Sequence, residues 1–272
     1  MKHWTLDDIP WDRFDASKVN ADILRLAKAA AMVEQNGLDY ALYLHNVFAD
    51  DEQFRSVIDT WAREEVQHGS ALGRWAMLAD PTFDFAESSA RFRAGYQLPL
   101  DATSSIRGSR AGELMARCIV ETGTSSYYAA LHDAIDEPVL KAICGQIAAD
   151  ELRHYKLFYS HMKRYLTREK LGTLGRLRIG FSRILESEDD ELAYAYYVAN
   201  GGSETYDRKR NTQAHALRAY RVYKPSHIQR AIAMAFKAVG LKPHGLISRV
   251  LLKFTCWFQR RRIARLEQLA AA

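Results

Sequence analysis

Ile143-Cys144-Gly145-Gln146-Ile147-Ala148-Ala149-Asp150-Glu151-Leu152-Arg153-His154 closes on a carboxylate and an imidazole three residues apart, and Glu64-Glu65-Val66-Gln67-His68-Gly69 carries the same Glu-x-x-His spacing earlier in the chain. Three residues advance about 300° around an α-helix, so Glu151 and His154 leave one face, as do Glu65 and His68. Two such matches are weak by themselves, since a chain with 9 His and 15 Glu supplies about half of one by chance. The spacing around them decides the reading. Glu34 lies 31 residues before Glu65, and Glu121 lies 30 residues before Glu151.

The midpoints of those intervals fall at Ala49-Asp50-Asp51 and Asp136-Glu137-Pro138, both turn-forming stretches. Each pair of antiparallel legs is therefore about 15 residues, or ~23 Å, and each upstream Glu comes level with its partner motif. Four helices then bring together Glu34, Glu65, His68, Glu121, Glu151 and His154. A carboxylate-bridged di-iron site is built this way, with one Glu from each of two helices and Glu-x-x-His from each of the other two. The neighbours at three and four residues are mostly apolar or small, including Ala30, Ala31 and Leu38 near Glu34, Trp61 and Leu72 near the first motif, and Ile147, Tyr155 and Phe158 near the second. Carboxylates buried among them need cations. Oxygen ligands with two imidazoles and no thiolate suit iron, or manganese, better than zinc.

The rest of the chain agrees with an all-α protein. It has 272 residues, 48% apolar and 26% charged, with 6 Pro, which leaves long stretches without a helix breaker. Periodicity predicts helices over 15–45, 51–78, 110–135 and from Pro138 to about Leu166. A long connection with one short helix is expected over 80–109. Residues 171–272 read as further helices interrupted by Gly201, Gly202, Pro225 and Pro243. The expected division is a bundle over 15–168 and a basic helical extension over 171–272, packed on or beside it. Cys118, Cys144 and Cys256 lack metal or disulfide spacing, and the acidic, polar start lacks the pattern of a signal peptide, so a cytoplasmic location is expected.

Glu64 and Asp150 stand immediately before the two motifs. A ligating His commonly donates its second ring N–H to a carboxylate, so these acids are candidates to orient the imidazoles; the alternative is a surface ion pair. Ala27, Ala30, Ala31, Gly37, Gly69, Gly123, Gly145 and Ala148 either leave space for an elongated apolar substrate or let helices approach closely. Arg117, one turn before Glu121, either meets a substrate carboxylate or pairs with an acid.

The two motif runs resemble those of the soluble acyl carrier protein desaturases over about residues 20–166. That resemblance implies a ferritin-like four-helix bundle with a long crossover connection, two iron ions that activate O2, oxidation of an unactivated C–H bond, a homodimer, and electrons from an external donor such as ferredoxin. It also implies terminal chelating roles for Glu34 and Glu121, bridging roles for Glu65 and Glu151, and one imidazole per iron from His68 and His154. Thr124 matches a threonine beside the oxygen site in that family; otherwise its hydroxyl bonds the preceding turn. Residues 79–108 and 170–272 lie outside the resemblance.

Charge is uneven, with 20 basic and 25 acidic side chains in residues 1–170 against 18 and 8 in residues 171–272. A basic region attracts anionic lipid or an acidic carrier. Residues 243–269 combine an apolar stripe (Ile247, Val250, Leu251, Phe254, Trp257, Phe258) with Arg249, Lys253 and Arg260-Arg261-Arg262. This is either a helix closing onto the bundle or a peripheral contact at the inner membrane surface. No nucleic-acid motif accompanies the charge. The expected function is an O2-dependent di-iron desaturase or hydroxylase acting on a fatty-acyl or other lipid-like chain. The alternatives are a ferritin-like iron-handling protein, against which the long basic extension argues, or a di-iron hydroxylase or N-oxygenase of tRNA or an amine.

Overall fold

The structure, a computed structural model, describes residues 3–186, 190–201 and 205–271. Helices and their connections make up all of it, and no strand occurs among the described residues. After three one-turn 3-10 helices within residues 6–18 come α1 (Ala21–Gln35), α2 (Gly37–Val47), α3 (Glu52–Ala79), α4 (Phe85–Gly95), α5 (Arg110–Ala134) and α6 (Pro138–Leu166). The C-terminal part adds α7 (Thr173–Leu185), α8 (Asp190–Asn200), α9 (Arg208–Val222), α10 (Pro225–Val239) and α11 (Leu246–Ala271). The fold is the ferritin-like arrangement. α1 packs on α3, α3 on α6 and α6 on α5, while residues 80–109 with α4 form the crossover between the two hairpins.

Caps explain most boundaries. Asn20 accepts from the Asp22 and Ile23 amides and starts α1, so the first helix begins at Ala21 instead of Asp15. Asp51 starts α3 by accepting from Phe54 N–H. Glu137 starts α6 by accepting from Val139 and Leu140 N–H, with Pro138 in the first turn.

The single first helix expected over 15–45 is interrupted at Asn36, whose N–H reaches the Val33 carbonyl at 3.1 Å in a tightened turn. The interruption coincides with close helix contact. A Cβ on Gly37 would lie 2.5 Å from the Glu65 Cβ, and one on Gly69 would lie 2.5 Å from the Gln35 amide nitrogen. These two glycines therefore serve close approach of the first helical leg to α3, and leave no room there for a substrate.

Two apolar clusters fill the bundle. One contains Leu26, Met32, Leu72, Trp75, Tyr128, Leu131, Leu140, Ile143 and Ile147; the other contains Leu44, Phe48, Phe54, Ile58, Trp61, Leu114, Met115, Tyr155 and Phe158. The helices α3, α5 and α6 each contribute to both. Between its two contributions α3 carries Glu65 and His68, α5 carries Glu121 and Thr124, and α6 carries Asp150, Glu151 and His154. Glu34 occupies the same level near the end of α1. A polar layer thus crosses the middle of an otherwise dry bundle.

The C-terminal helices wrap this core. α8 packs on α1, α10 and α7 on α5, and α9 on α8. Gly201 follows the end of α8, whereas Gly202 lies outside the described residues. α11 packs on α9 and α10, with Ile263 and Leu266 joining Ala216, Leu217 and Tyr220 in a small third cluster.

Candidate metal centre

The six carboxylates and imidazoles selected by spacing all meet. Glu34, Glu65, His68 and Glu151 form one group, and Glu65, Glu121, Glu151 and His154 another, with the potential ligand atoms of each group within 4.8 Å of one another. Glu65 and Glu151 belong to both. All six residues are buried.

The imidazoles are held from outside. His154 Nε2 lies 2.7 Å from Glu64 Oε2, and His68 Nε2 lies 3.1 Å from Asp150 Oδ2. The acids act across the bundle, since Glu64 precedes the α3 motif and meets the α6 histidine, while Asp150 does the reverse. A proton on each Nε2 leaves Nδ1 to face inward in the neutral ring. His68 Nδ1 lies 3.3 Å from Glu151 Oε1 and 3.5 Å from Glu34 Oε2, and His154 Nδ1 lies 3.0 Å from Glu65 Oε1.

Those inward atoms are the ones lacking conventional hydrogen-bond partners. Glu34 Oε2, Glu65 Oε1, Glu151 Oε1, His68 Nδ1 and His154 Nδ1 are fully buried and unsatisfied, although most buried polar groups find a partner. Electrostatics show the same tension. Burial, reinforced by the charges of neighbouring glutamates, drives the Glu65 and Glu121 carboxyls well above the ordinary carboxylate range. Burial disfavours charge on the two imidazoles, yet Asp150, Glu151 and Glu34 around His68, and Glu151, Glu64 and Glu65 around His154, outweigh it and raise both. Burial also opposes charge on Glu151, but its histidine neighbours hold it well below the usual range. Two divalent cations would balance four carboxylates with both imidazoles neutral, so this donor set fits the pair of ions that the spacing predicts.

Thr124 Oγ1 lies 2.5 Å from Glu151 Oε2 and 3.3 Å from the Val120 carbonyl, so its hydroxyl reaches both a candidate ligand and the preceding turn. Arg117 sits 3.7 Å from Glu113, with its guanidinium over the rings of Tyr40 and Trp61; the acid-pairing reading is the one its surroundings match. Three further residues were not singled out by spacing. The Tyr128 hydroxyl donates to Glu34 Oε1 at 2.5 Å, fixing one carboxylate oxygen and leaving the other inward. Trp4 donates its indole N–H to Asp150 at 2.7 Å and lies parallel to the His68 ring. Gln67 bonds the Trp4 carbonyl at 3.0 Å and anchors that segment. The seven-residue step from Glu121, which keeps Tyr128 on the same face, is the signal that points to it, whereas nothing in the local pattern around Trp4 signals its destination.

A cleft of about 210 Å³ is lined by residues that include Tyr40, Tyr43, Arg117, Val120, Arg183 and Glu186. Val120 precedes Glu121, so the cleft reaches the level next to the carboxylate layer.

No protein-family model and no curated protein matches the chain. Among solved structures, it is similar to the X-ray structure of DesA2, a candidate acyl-ACP desaturase from Mycobacterium tuberculosis, at 17% identity and a TM-score of 0.47, covering 93% of this chain and 90% of that one.

Proposed function

We propose that this chain is a di-iron oxidoreductase that uses O2 to desaturate or hydroxylate a fatty-acyl or similar lipid-like chain. The observation that carries the metal reading is the set of buried, unsatisfied oxygen and nitrogen atoms converging from four helices between two apolar cores. Iron bound there would supply the redox chemistry with O2 that no amino-acid side chain offers.

The protein's own groups then have distinct tasks. Asp150 and Glu64 hold the ring N–H groups and fix which nitrogen faces inward. Tyr128 orients Glu34, and Trp4 covers the Asp150–His68 pair against water. The Thr124 hydroxyl places a mobile proton at Glu151 Oε2. The apolar residues above and below keep the layer dry, which strengthens every polar contact inside it. The cleft beside Val120 supplies a route for the substrate, and electrons come from an external donor, since the chain has no Gly-x-Gly-x-x-Gly nucleotide fingerprint.

The test is anaerobic loading with Fe(II), elemental analysis, and then O2 exposure with a reductant and an acyl-lipid mixture followed by mass spectrometry. About two iron ions per chain and a product changed by loss of two hydrogens or gain of one oxygen are expected. A chain that binds no iron, or a single zinc, overturns the metal reading; two iron ions with no lipid product overturn the substrate class.

A further inference from the structure

We propose that α7 and the N-terminal half of α11 form a surface that docks on an anionic lipid bilayer. Leu174, Leu177, Phe181, Ile184 and Leu185 occupy one face of α7 and are all exposed, Leu174 to 82%. Along α11, Leu246, Ile247, Val250, Leu251, Phe254, Trp257 and Phe258 do the same, with Ile247 at 68% and Trp257 at 45%. At 100° per residue each set forms a single stripe. The opposite face of each helix meets the protein: Ile179 of α7 packs against the second apolar cluster, and Ser248 and Leu266 of α11 are buried. Both helices pack on α10. The expectation that 243–269 closes onto the bundle therefore describes the far end of α11, around Ile263 and Leu266, and leaves the aromatic stripe outside.

Charge selects the occupant. Arg249, Lys253 and Arg260 flank the α11 stripe, Arg261 and Arg265 are exposed beyond it, and Arg178 is exposed beside the α7 stripe. The acid that closes α7, its C-cap Glu186, is held by Arg107 and Arg183, and the one acid of α11, Glu267, is engaged by Arg221 at 2.7 Å. In a two-fold dimer this surface would face itself and set like charges together. An anionic bilayer offers apolar depth for the stripes and negative headgroups for their basic flanks. No described helix is long and apolar enough to cross a membrane, so the contact is peripheral. The C-terminal end of α7 also borders the cleft, through Arg183 and Glu186. Docking there brings lipid to the cleft mouth; this last link rests on the proposed lipid substrate, while the docking itself does not.

Cosedimentation of the full chain with phosphatidylcholine vesicles, with and without phosphatidylglycerol, tests the surface. Binding is expected to the anionic vesicles alone and to weaken as salt is raised. Phe181→Asp with Leu185→Asp, and separately Trp257→Asp with Phe258→Asp, are expected to abolish it while helical content and iron uptake persist, because these side chains are exposed. Arg249→Gln with Lys253→Gln is expected to weaken binding by about thirtyfold. Absence of vesicle binding by the intact chain overturns the proposal, and so does a solution dimer that either Asp pair dissociates. Vesicle binding without iron uptake sinks the di-iron reading alone, and iron uptake without vesicle binding sinks the docking surface alone.

Discussion

The Trp4 indole and the His68 imidazole lie parallel, with centroids 6.0 Å apart and planes 3° from one another, while both donate to the same Asp150 oxygen. The N-terminal segment thus fixes a candidate ligand that lies far along the sequence on α3. Gln67 and the Trp4 carbonyl close the contact from the other side.

If Trp4 positions the pair, Trp4→Ala weakens metal binding by about tenfold without loss of helix, as for other residues that orient a ligating histidine. Trp4→Phe, which retains a ring and loses the N–H, falls between. Competitive titration with a metal-binding dye measures this, and an unchanged affinity in Trp4→Ala contradicts the role.

Sharing of ligands predicts an asymmetric pattern of metal loss. Glu65 and Glu151 belong to both groups, whereas Glu34 and Glu121 each belong to one. Glu151→Ala is expected to lose both ions, and Glu34→Ala or Glu121→Ala to keep about one of the two that four helices can ligate. Elemental analysis of the three variants decides it; equal loss in all three is the contrary result.

Gly69→Ala tests the packing that sets the layer. The added methyl would meet the Gln35 backbone, which cannot swing aside as a side chain can. Overpacking of this kind costs about 1–3 kcal/mol. A lower melting temperature and weaker metal binding are expected together, since Glu34 and His68 each lie one residue from the contact. A variant as stable as the parent would show that the two helices separate freely.

Away from the centre, Lys28 Nζ lies 2.6 Å from Asp80 Oδ2 and over the Phe83 ring. Hydrogen bonds from Lys28 and Thr82 hold the Asp80 carboxyl down at about 2. A carboxyl depressed on folding contributes stability above its unfolded value of about 3.9 and loses it as pH falls toward about 2. Asp80→Asn should therefore cost about 1 kcal/mol at pH 7, after allowance for partial exposure, and the difference should narrow between about pH 5 and 2. Urea denaturation across that range measures it, and a constant difference contradicts the linkage.

The six candidate ligands were legible because a helix turns residue spacing into facing, and two similar hairpins bring equal spacings to one level. The turns at Ala49–Asp51 and Asp136–Pro138, the all-α class and the long crossover followed from local chemistry of the same kind. Glu64 and Asp150 were legible as acids beside the motifs, but their crossed pairing depends on how α3 and α6 face one another. The interruption at Asn36 falls on an Asn-Gly pair that helical periodicity passes over, and the close approach of α3 with which it coincides is a nonlocal contact that periodicity does not encode. Trp4 was invisible for the same reason, its partners being 64 and 146 residues away. On α11 the sequence determined a stripe of aromatic and aliphatic side chains beside a basic flank; only tertiary packing decided that the far end closes on α9 while the stripe stays exposed, because an amphipathic pattern specifies a face and leaves open what covers it.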